Sequence, residues 1–200
     1  MKAAAFTEAD WLALEERLAD ALTPHRFRHT LHVADMASAL AMCHGHSLPE
    51  ARLAGLLHDC AKRLPREEMQ RIVEEGATPM RAEEKQNPAL WHAPVGAYLA
   101  RTIYEVEEEE ILSAIRYHTT GHPDMTLLEK IVYIADFIEP DRTHTPRLRE
   151  IRALAFTDPD ACVAAIAEST LQYLEEKHKT IDPATRDTWT FYRNTTDGRS

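Results

Sequence analysis

The chain has little cysteine, little glycine and no excess of positive charge. Its 200 residues include three cysteines and six glycines, and its 33 Asp and Glu outnumber its 23 Lys and Arg, which gives a formal net charge of −10. An acidic chain lacks the basic face that binds the phosphate backbone of nucleic acids or an anionic membrane surface. We therefore expect neither a nucleic acid nor a membrane as its partner.

The few cysteines and the short apolar runs exclude further classes. Cys43, Cys60 and Cys162 are far apart, odd in number and without CxxC spacing, so we expect no disulfide framework, no cysteine zinc site and a cytoplasmic location. The longest apolar stretch, Ile131 to Ile138, is interrupted by Asp136 and is too short to cross a bilayer. The N-terminus turns acidic after a few residues, which predicts no secretory signal.

Helical periodicity is what the sequence does contain. Alternating polar and apolar residues, the pattern of strands, are absent. Thr7 followed by Asp10 resembles an N-cap box that opens a helix over residues 8–22. Pro24 predicts the start of a second helix, which Gly45 would end. Further periodic segments continue to about residue 178, so the sequence predicts one all-α domain.

Three segments carry weaker signals. Residues 77–90 are polar, contain two prolines and are expected to form a loop. Asp124 is expected to cap the helix that follows it. Residues 181–200 are polar and are expected to form a tail that docks on the body through Trp189 and Tyr192.

Histidine is unusually common, with 11 residues, and several metal-capable side chains fall where an apolar one is expected. His29 lies on the apolar stripe of the second helix. His58 and Asp59 end the apolar run LAGLLHD, His118 continues a stripe of isoleucines, and Asp136 sits inside IVYIADFIE. These four positions share the same peculiarity.

A bound metal would explain these positions. A buried, unpaired carboxylate is costly, and no Lys or Arg lies three or four residues from Asp136. A divalent ion would satisfy Asp136 and Asp59 together, with His29 and His58 as neutral imidazoles. Imidazole and carboxylate ligands without thiolate favour Fe, Mn, Co or Zn over Mg or Ca, and Fe is our first expectation.

Each residue alone has a plainer explanation. A single histidine on an apolar helix face is more often a hydrogen-bonded core residue, and Asp136 would pair with a distant arginine in many folds. His58 and Asp59 would suit the last turn of a helix, where a histidine faces the negative end of the dipole. The order H…HD…H…H…D in one all-α chain favours the metal.

The local context of this order resembles the HD-domain metal-dependent phosphohydrolases and, among them, the YqeK family. The similar segments are RFRHTLHVADMA (26–37), AGLLHDCAK (54–62), HAPVGA (92–97), AIRYHTTGHPDMTLLEKIVYIADFIEPDR (114–142) and IR (151–152). The HD pair alone is a weak signal, whereas HTTG followed by IADFIEPDR is specific. The resemblance implies a helical bundle with a metal site between its helices. It divides the chain into an N-terminal helix (1–23), an HD domain (24–183) and a tail (184–200).

The resemblance also implies an activity and a site. The activity is symmetrical bis(5'-nucleosyl)-tetraphosphatase, which releases ADP from diadenosine tetraphosphate, a small dinucleotide. Matched position by position, the implied metal ligands are His29, His58, Asp59 and Asp136. The implied catalytic residues are Asp59, Lys62, His92 and His118, and the implied substrate contacts are these four with Arg26 and Arg142. His92 and His118 would either bind a second metal or contact a phosphate.

Two other functions remain open. The chain would fit another HD-type phosphohydrolase, acting on a nucleoside monophosphate or guanosine tetraphosphate. It would also fit a non-catalytic domain that senses a nucleotide. A homodimer is compatible with each of these hypotheses.

Overall fold

Helices account for nearly all of the regular structure, as the periodicity predicts. A computed structural model of the chain describes residues 2–143 and 145–198, and in this part it contains no strand. Its α-helices are α1 (Glu8–Ala21), α2 (Pro24–His44), α3 (Leu48–Leu57), α4 (Arg66–Glu74), α5 (Ala82–Lys85), α6 (His92–Thr102), α7 (Glu109–Tyr117), α8 (Leu127–Ile138), α9 (Leu148–Ala155), α10 (Pro159–Glu176) and α11 (Pro183–Asp197), with 3-10 turns at Ala3–Ala5 and Pro88–Leu90. None of the helices within these described ranges is long and apolar enough to cross a membrane.

Local signals set the ends of the first two helices. Thr7 and Asp10 form a reciprocal capping box at the start of α1. The Thr23 hydroxyl accepts a hydrogen bond from the Arg26 N–H at the start of α2, and Gly45 ends α2 with φ of +75°, a left-handed conformation that costs glycine little. The predictions for both helices are confirmed.

The core is built where α2, α3, α7 and α8 pack together. Leu40, Leu56, Ile115 and Leu128 are fully buried there, and each such side chain contributes about 1.5–3 kcal/mol of transfer free energy. Gly55 allows α3 to approach α2, because a Cβ on Gly55 would lie 2.7 Å from the Ala34 Cα. This close approach brings the end of α3 beside the first turns of α2.

Two of the weaker predictions are wrong. Residues 77–90 contain α5 and a 3-10 turn rather than a continuous loop, because Glu84 there is buried against Arg116, a distant partner. Asp124 does not cap α8. Thr126 does so, in a capping box with Glu129, while Asp124 lies before it with φ of +56°.

The segment predicted as a tail is helical. α11 packs along α10, and the Tyr192 hydroxyl accepts a hydrogen bond of 2.7 Å from the Met125 N–H. Tyr192 is buried, which confirms that it docks the segment. The buried face of α11 includes Thr185 and Thr188, so its apolar periodicity is too weak to predict a helix.

Candidate metal centre

Four side chains from three parts of the chain meet in the middle of the bundle. His29 belongs to α2, His58 and Asp59 follow α3 directly, and Asp136 lies in the last turn of α8. His29 Nε2 lies 3.1 Å from Asp136 Oδ1. His58 Nε2 lies 3.6 Å from Asp59 Oδ2 and 3.9 Å from Asp136 Oδ1. The structure thus brings together the four residues of the predicted ligand set.

A second pair of imidazoles lies on the other side of Asp59. His118 Nε2 lies 3.5 Å and His92 Nε2 lies 3.7 Å from Asp59 Oδ1, whereas His29 and His58 face Oδ2. Asp59 therefore stands between two groups of ring nitrogens, with one carboxylate oxygen toward each. The arrangement suits either two ions bridged by Asp59 or one ion beside a bound phosphate.

Backbone carbonyls fix the proton positions on three of the rings. The Nδ1–H groups of His58, His92 and His118 donate to carbonyl oxygens three residues earlier, at 2.7, 3.0 and 2.8 Å respectively. A carbonyl only accepts, so each neutral ring keeps its proton on Nδ1. The lone pair of each Nε2 is then directed at the site, as a metal ligand requires.

Several of these polar atoms have no hydrogen-bond partner. His29 Nε2, His58 Nε2 and Asp59 Oδ1 are buried and make no hydrogen bond of good geometry, although His29 Nε2 lies 3.1 Å from Asp136 Oδ1. Thr119 Oγ1 lies 3.1 Å from His92 Nε2 and 3.0 Å from His118 Nε2, but its single proton satisfies only one of the two lone pairs. Buried acceptors left unpaired are costly. A divalent cation would satisfy them together, so the donor set fits a metal.

The environment keeps the ligand atoms available. Burial lowers the pKa of His58 to about 4 and the pKa of His92 to about 3, so both rings are neutral at physiological pH. Burial acts in the same direction on His29, but its contact with Asp136 and the charge of Asp59 outweigh burial and raise the pKa of His29. Although burial opposes the shift, the contacts of Asp59 with His58 and His118 and the charge of Lys62 hold the pKa of Asp59 well below its usual range.

Three cations border these groups. Arg26 Nη1 donates to Asp59 Oδ2 at 2.7 Å, and Lys62 Nζ lies 3.5 Å from Asp59 Oδ1. Arg142 Nη2 donates to the Asp136 carbonyl oxygen at 3.1 Å. Their side chains are 30, 35 and 41% exposed respectively, so all three can reach a bound anion. The contact between Arg26 and Asp59 was not part of the sequence prediction.

The centre opens into a cavity of about 730 Å³, the metal cavity. It is lined by His29, Asp59 and the three cations, by Thr143 and Thr145, and by side chains from the second half of α10. A cavity of this size is in the range that encloses nucleotide-sized ligands. Its charged wall suits phosphates.

Sequence reasoning missed Glu139, a carboxylate directly after α8. Its side chain is 5% exposed, and Oε1 lies 3.4 Å from His29 Nδ1. An acid at the end of the apolar run IVYIADFIE was a signal of the same kind as Asp136. Asp136 drew attention because it lies inside the run, whereas a helix end is an ordinary place for an acid.

Known proteins are similar to this chain over most of its length. A family model described as the HD domain matches residues 26–141, the segment that contains all the residues of the predicted site except Arg142. A symmetrical bis(5'-nucleosyl)-tetraphosphatase of Bacillus subtilis (strain 168) is 44% identical over 164 residues, covering 82% of this chain and 87% of the relative. A protein of the same name from Halalkalibacterium halodurans is 38% identical over 168 residues, covering 84 and 89% of the two chains.

A solved structure has the same fold. The crystal structure of a predicted HD superfamily hydrolase involved in NAD metabolism, from Clostridium acetobutylicum, superposes with a TM-score of 0.87 at 33% identity. The match covers 92% of this chain and 97% of the other.

Proposed function

This chain belongs to the HD-domain family and, within it, to the symmetrical bis(5'-nucleosyl)-tetraphosphatases, and on that basis we propose that it is a metal-dependent hydrolase of diadenosine tetraphosphate. Its products would be two molecules of ADP. One observation carries the proposal. The Nε2 atoms of His29 and His58 and the Oδ1 atom of Asp59 are buried without hydrogen-bond partners, beside a cavity with a cationic rim.

We propose His29, His58, Asp59 and Asp136 as the ligands of a divalent transition metal. Fe is our first candidate, with Mn, Co and Zn as alternatives, because the donors are imidazoles and carboxylates without thiolate. His92 and His118 would hold a second ion together with Asp59 or bind a phosphate directly. When bound, such an ion polarises a phosphate oxygen and lowers the pKa of a coordinated water.

Asp59 has a distinct role in this proposal. Its two oxygens face the two groups of imidazoles, so it lies beside the point where a water would attack. Because its pKa is held well below the usual range, Asp59 remains a carboxylate. It accepts a hydrogen bond from the attacking water and orients it, rather than removing its proton.

The cations would bind and neutralise the substrate. Water attacks one of the two inner phosphorus atoms and breaks the central anhydride bond, so each ADP leaves with two phosphates. We assign Lys62, Arg26 and Arg142 to the phosphate oxygens, with His92 and His118 beside the leaving group. Local cations are needed because the chain as a whole carries a net charge of −10 and repels a polyanion.

The cellular setting is part of the proposal. Cys43, Cys60 and Cys162 are free thiols, as in proteins of a reducing cytoplasm, and we propose that compartment. A homodimer stays a prediction, which the molecular mass in solution would test.

Product analysis tests the proposed function. Protein purified without oxygen is assayed for metal and incubated with diadenosine tetraphosphate, and the nucleotides are separated by anion exchange. We expect bound transition metal and ADP as the sole nucleotide product. AMP with ATP would contradict symmetrical cleavage. Phosphate or pyrophosphate from a nucleoside monophosphate or guanosine tetraphosphate would indicate another HD-type hydrolase. No turnover with added Fe, Mn or Co would indicate a sensing domain.

A further inference from the structure

Glu139 is a buried acid that has no role in the function proposed so far. Its Oε1 lies 3.4 Å from His29 Nδ1, and its Oε2 accepts a hydrogen bond of 2.7 Å from the Asp141 N–H. A second imidazole approaches Oε2, since His32 Nδ1 lies 3.5 Å from it, but among the described residues no Lys or Arg forms an ion pair with the Glu139 carboxylate. The guanidinium of Arg152 lies close by but donates to carbonyl oxygens, including that of Glu139, rather than to the carboxylate. Burying a carboxylate without a basic partner costs free energy, which indicates that Glu139 has a function.

The place of His29 in the chain explains why it needs this partner. His58, His92 and His118 lie at helix ends, where a carbonyl three residues earlier is free to accept their Nδ1–H. His29 is the sixth residue of α2. Its equivalent carbonyl, that of Arg26, is engaged within the helix. A side chain from elsewhere must therefore accept the Nδ1–H of His29.

We propose that Glu139 is a positioning residue that fixes the tautomer of His29. By accepting the Nδ1–H, the carboxylate leaves the lone pair on Nε2, the atom 3.1 Å from Asp136 Oδ1. The second carboxylate oxygen holds the Asp141 amide and so anchors the turn that leads to Arg142. Glu139 thereby connects His29, a proposed metal ligand, to the segment that carries Arg142, a proposed substrate contact.

The variant Glu139→Gln keeps the size of the side chain and changes its charge and its hydrogen-bonding groups. A carboxylate accepts at both oxygens, whereas an amide has one acceptor and one donor. In the variant, the amide oxygen should accept the hydrogen bond from the Asp141 N–H, which is the shorter of the two contacts. The NH₂ group then faces His29 Nδ1. That nitrogen must then accept, which moves the ring proton to Nε2 and blocks the metal.

The test measures Co²⁺ binding by the wild type and the variants side by side at the same pH. We expect Glu139→Gln to weaken Co²⁺ affinity about 10- to 100-fold, without lowering the thermal midpoint of the metal-free protein. Asp141→Asn is the matched control. It removes the same charge from the same turn, where Asp141 pairs with Arg28, and should leave Co²⁺ affinity unchanged. Wild-type affinity in Glu139→Gln, or an equal loss in Asp141→Asn, would overturn the proposal.

A second readout does not depend on affinity. In protein saturated with Zn²⁺ and labelled with ¹⁵N-histidine, the Nδ1–H signal of His29, identified through His29→Gln, should shift upfield in Glu139→Gln, because the carboxylate that accepts this proton is replaced by an amide. The signal should stay unchanged in Asp141→Asn, and an unchanged His29 signal in Glu139→Gln would refute the inference. The inference rests on the proposed metal site but not on the substrate. A wild type that binds Co²⁺ without cleaving diadenosine tetraphosphate would contradict the proposed function alone.

Discussion

Two cavities of similar size in this molecule are both lined by charged side chains, but the charges are arranged differently. The metal cavity has a volume of about 730 Å³. The other, the paired cavity, has a volume of about 600 Å³ and lies between residues 77–84, α6 and α7. Its five charged side chains all have oppositely charged partners: Arg116 with Glu84, Arg101 with Glu109, and Arg81 with Asp182.

The comparison shows which feature distinguishes a reactive site from a structural one. Arg116 donates to both oxygens of Glu84, at 2.6 Å to Oε1, so this pair needs nothing further. In the metal cavity, His29, His58 and Asp59 each have a buried atom without a partner. Charge and volume are common to both cavities. Asp182 Oδ2 is also buried without a hydrogen bond, but it is a single atom. A cluster of unsatisfied ligand atoms marks the functional cavity.

The largest effect should come from removing one of the unsatisfied ligands of the metal cavity. In His58→Ala the metal loses an imidazole that is fully buried and neutral. We expect metal content to fall together with hydrolysis of diadenosine tetraphosphate, by about 10³-fold. Metal analysis and initial rates check this. Retention of both metal and activity would show that the ligand assignment is wrong.

The corresponding change in the paired cavity should act on stability instead. Glu84→Gln leaves Arg116 without a carboxylate, and the two side chains are 2 and 15% exposed. Because Arg116 keeps some contact with solvent, we expect the free energy of unfolding to fall by about 2 to 3 kcal/mol. Denaturant unfolding measures the loss. Metal content and turnover should be unchanged. A parallel loss of metal would contradict the claim that the paired cavity has only a structural role.

The burial of the candidate ligands was predictable from the sequence because burial follows from periodicity. Asp136 lies in an apolar helix, His29 lies on an apolar stripe, and a buried polar group must have a partner. The caps of α1 and α2 are equally local, since Thr7 and Gly45 act within four residues. That these side chains converge is inferred from their order in the chain and from the family resemblance, without knowing how the helices pack.

What could not be predicted depends on long-range packing. Arg26 meets Asp59 across 33 residues, and Glu139 meets His29 across 110. Neither pair has a fixed spacing that a sequence pattern would reveal. The helical state of α11 is similar, because the face that carries its buried threonines is defined by distant parts of the chain. The Thr188 hydroxyl lies 3.0 Å from the Thr120 carbonyl oxygen as well as 2.7 Å from the Ala184 carbonyl oxygen of its own helix.

A smaller effect should distinguish the arginines of the two cavities. Arg142→Ala removes a charged donor beside the Asp136 carbonyl, and we expect kcat/KM for diadenosine tetraphosphate to fall about 10- to 100-fold. Metal content should stay at the wild-type level. The matched change Arg101→Ala, in the paired cavity, should leave kcat/KM unchanged. Equal losses in the two variants would mean that Arg142 acts through overall charge rather than by contact with phosphate.

The smallest expected effect concerns the pH dependence of stability in the metal-free protein. The pKa of His92 falls from 6.5 to about 3 on folding, so below pH 6.5 the unfolded chain takes up a proton that the folded chain refuses. The free energy of unfolding therefore decreases as the pH decreases below 6.5. His92→Gln should reduce this loss by about 1 kcal/mol between pH 6.5 and about 5.5, measured by thermal unfolding at each pH.

A paired histidine should give the opposite sign in a different pH range. His122 lies 3.0 Å from Glu129, and this contact raises the pKa of His122 above 6.5. Its contribution is fully present below pH 6.5 and is lost as the pH rises through the raised pKa. His122→Gln should therefore lower stability near and below pH 6.5 and have less effect at alkaline pH. If both variants changed the stability in the same pH range and with the same sign, His92 would be an ordinary partnered histidine. The contrast between satisfied and unsatisfied groups would then be wrong for the metal cavity.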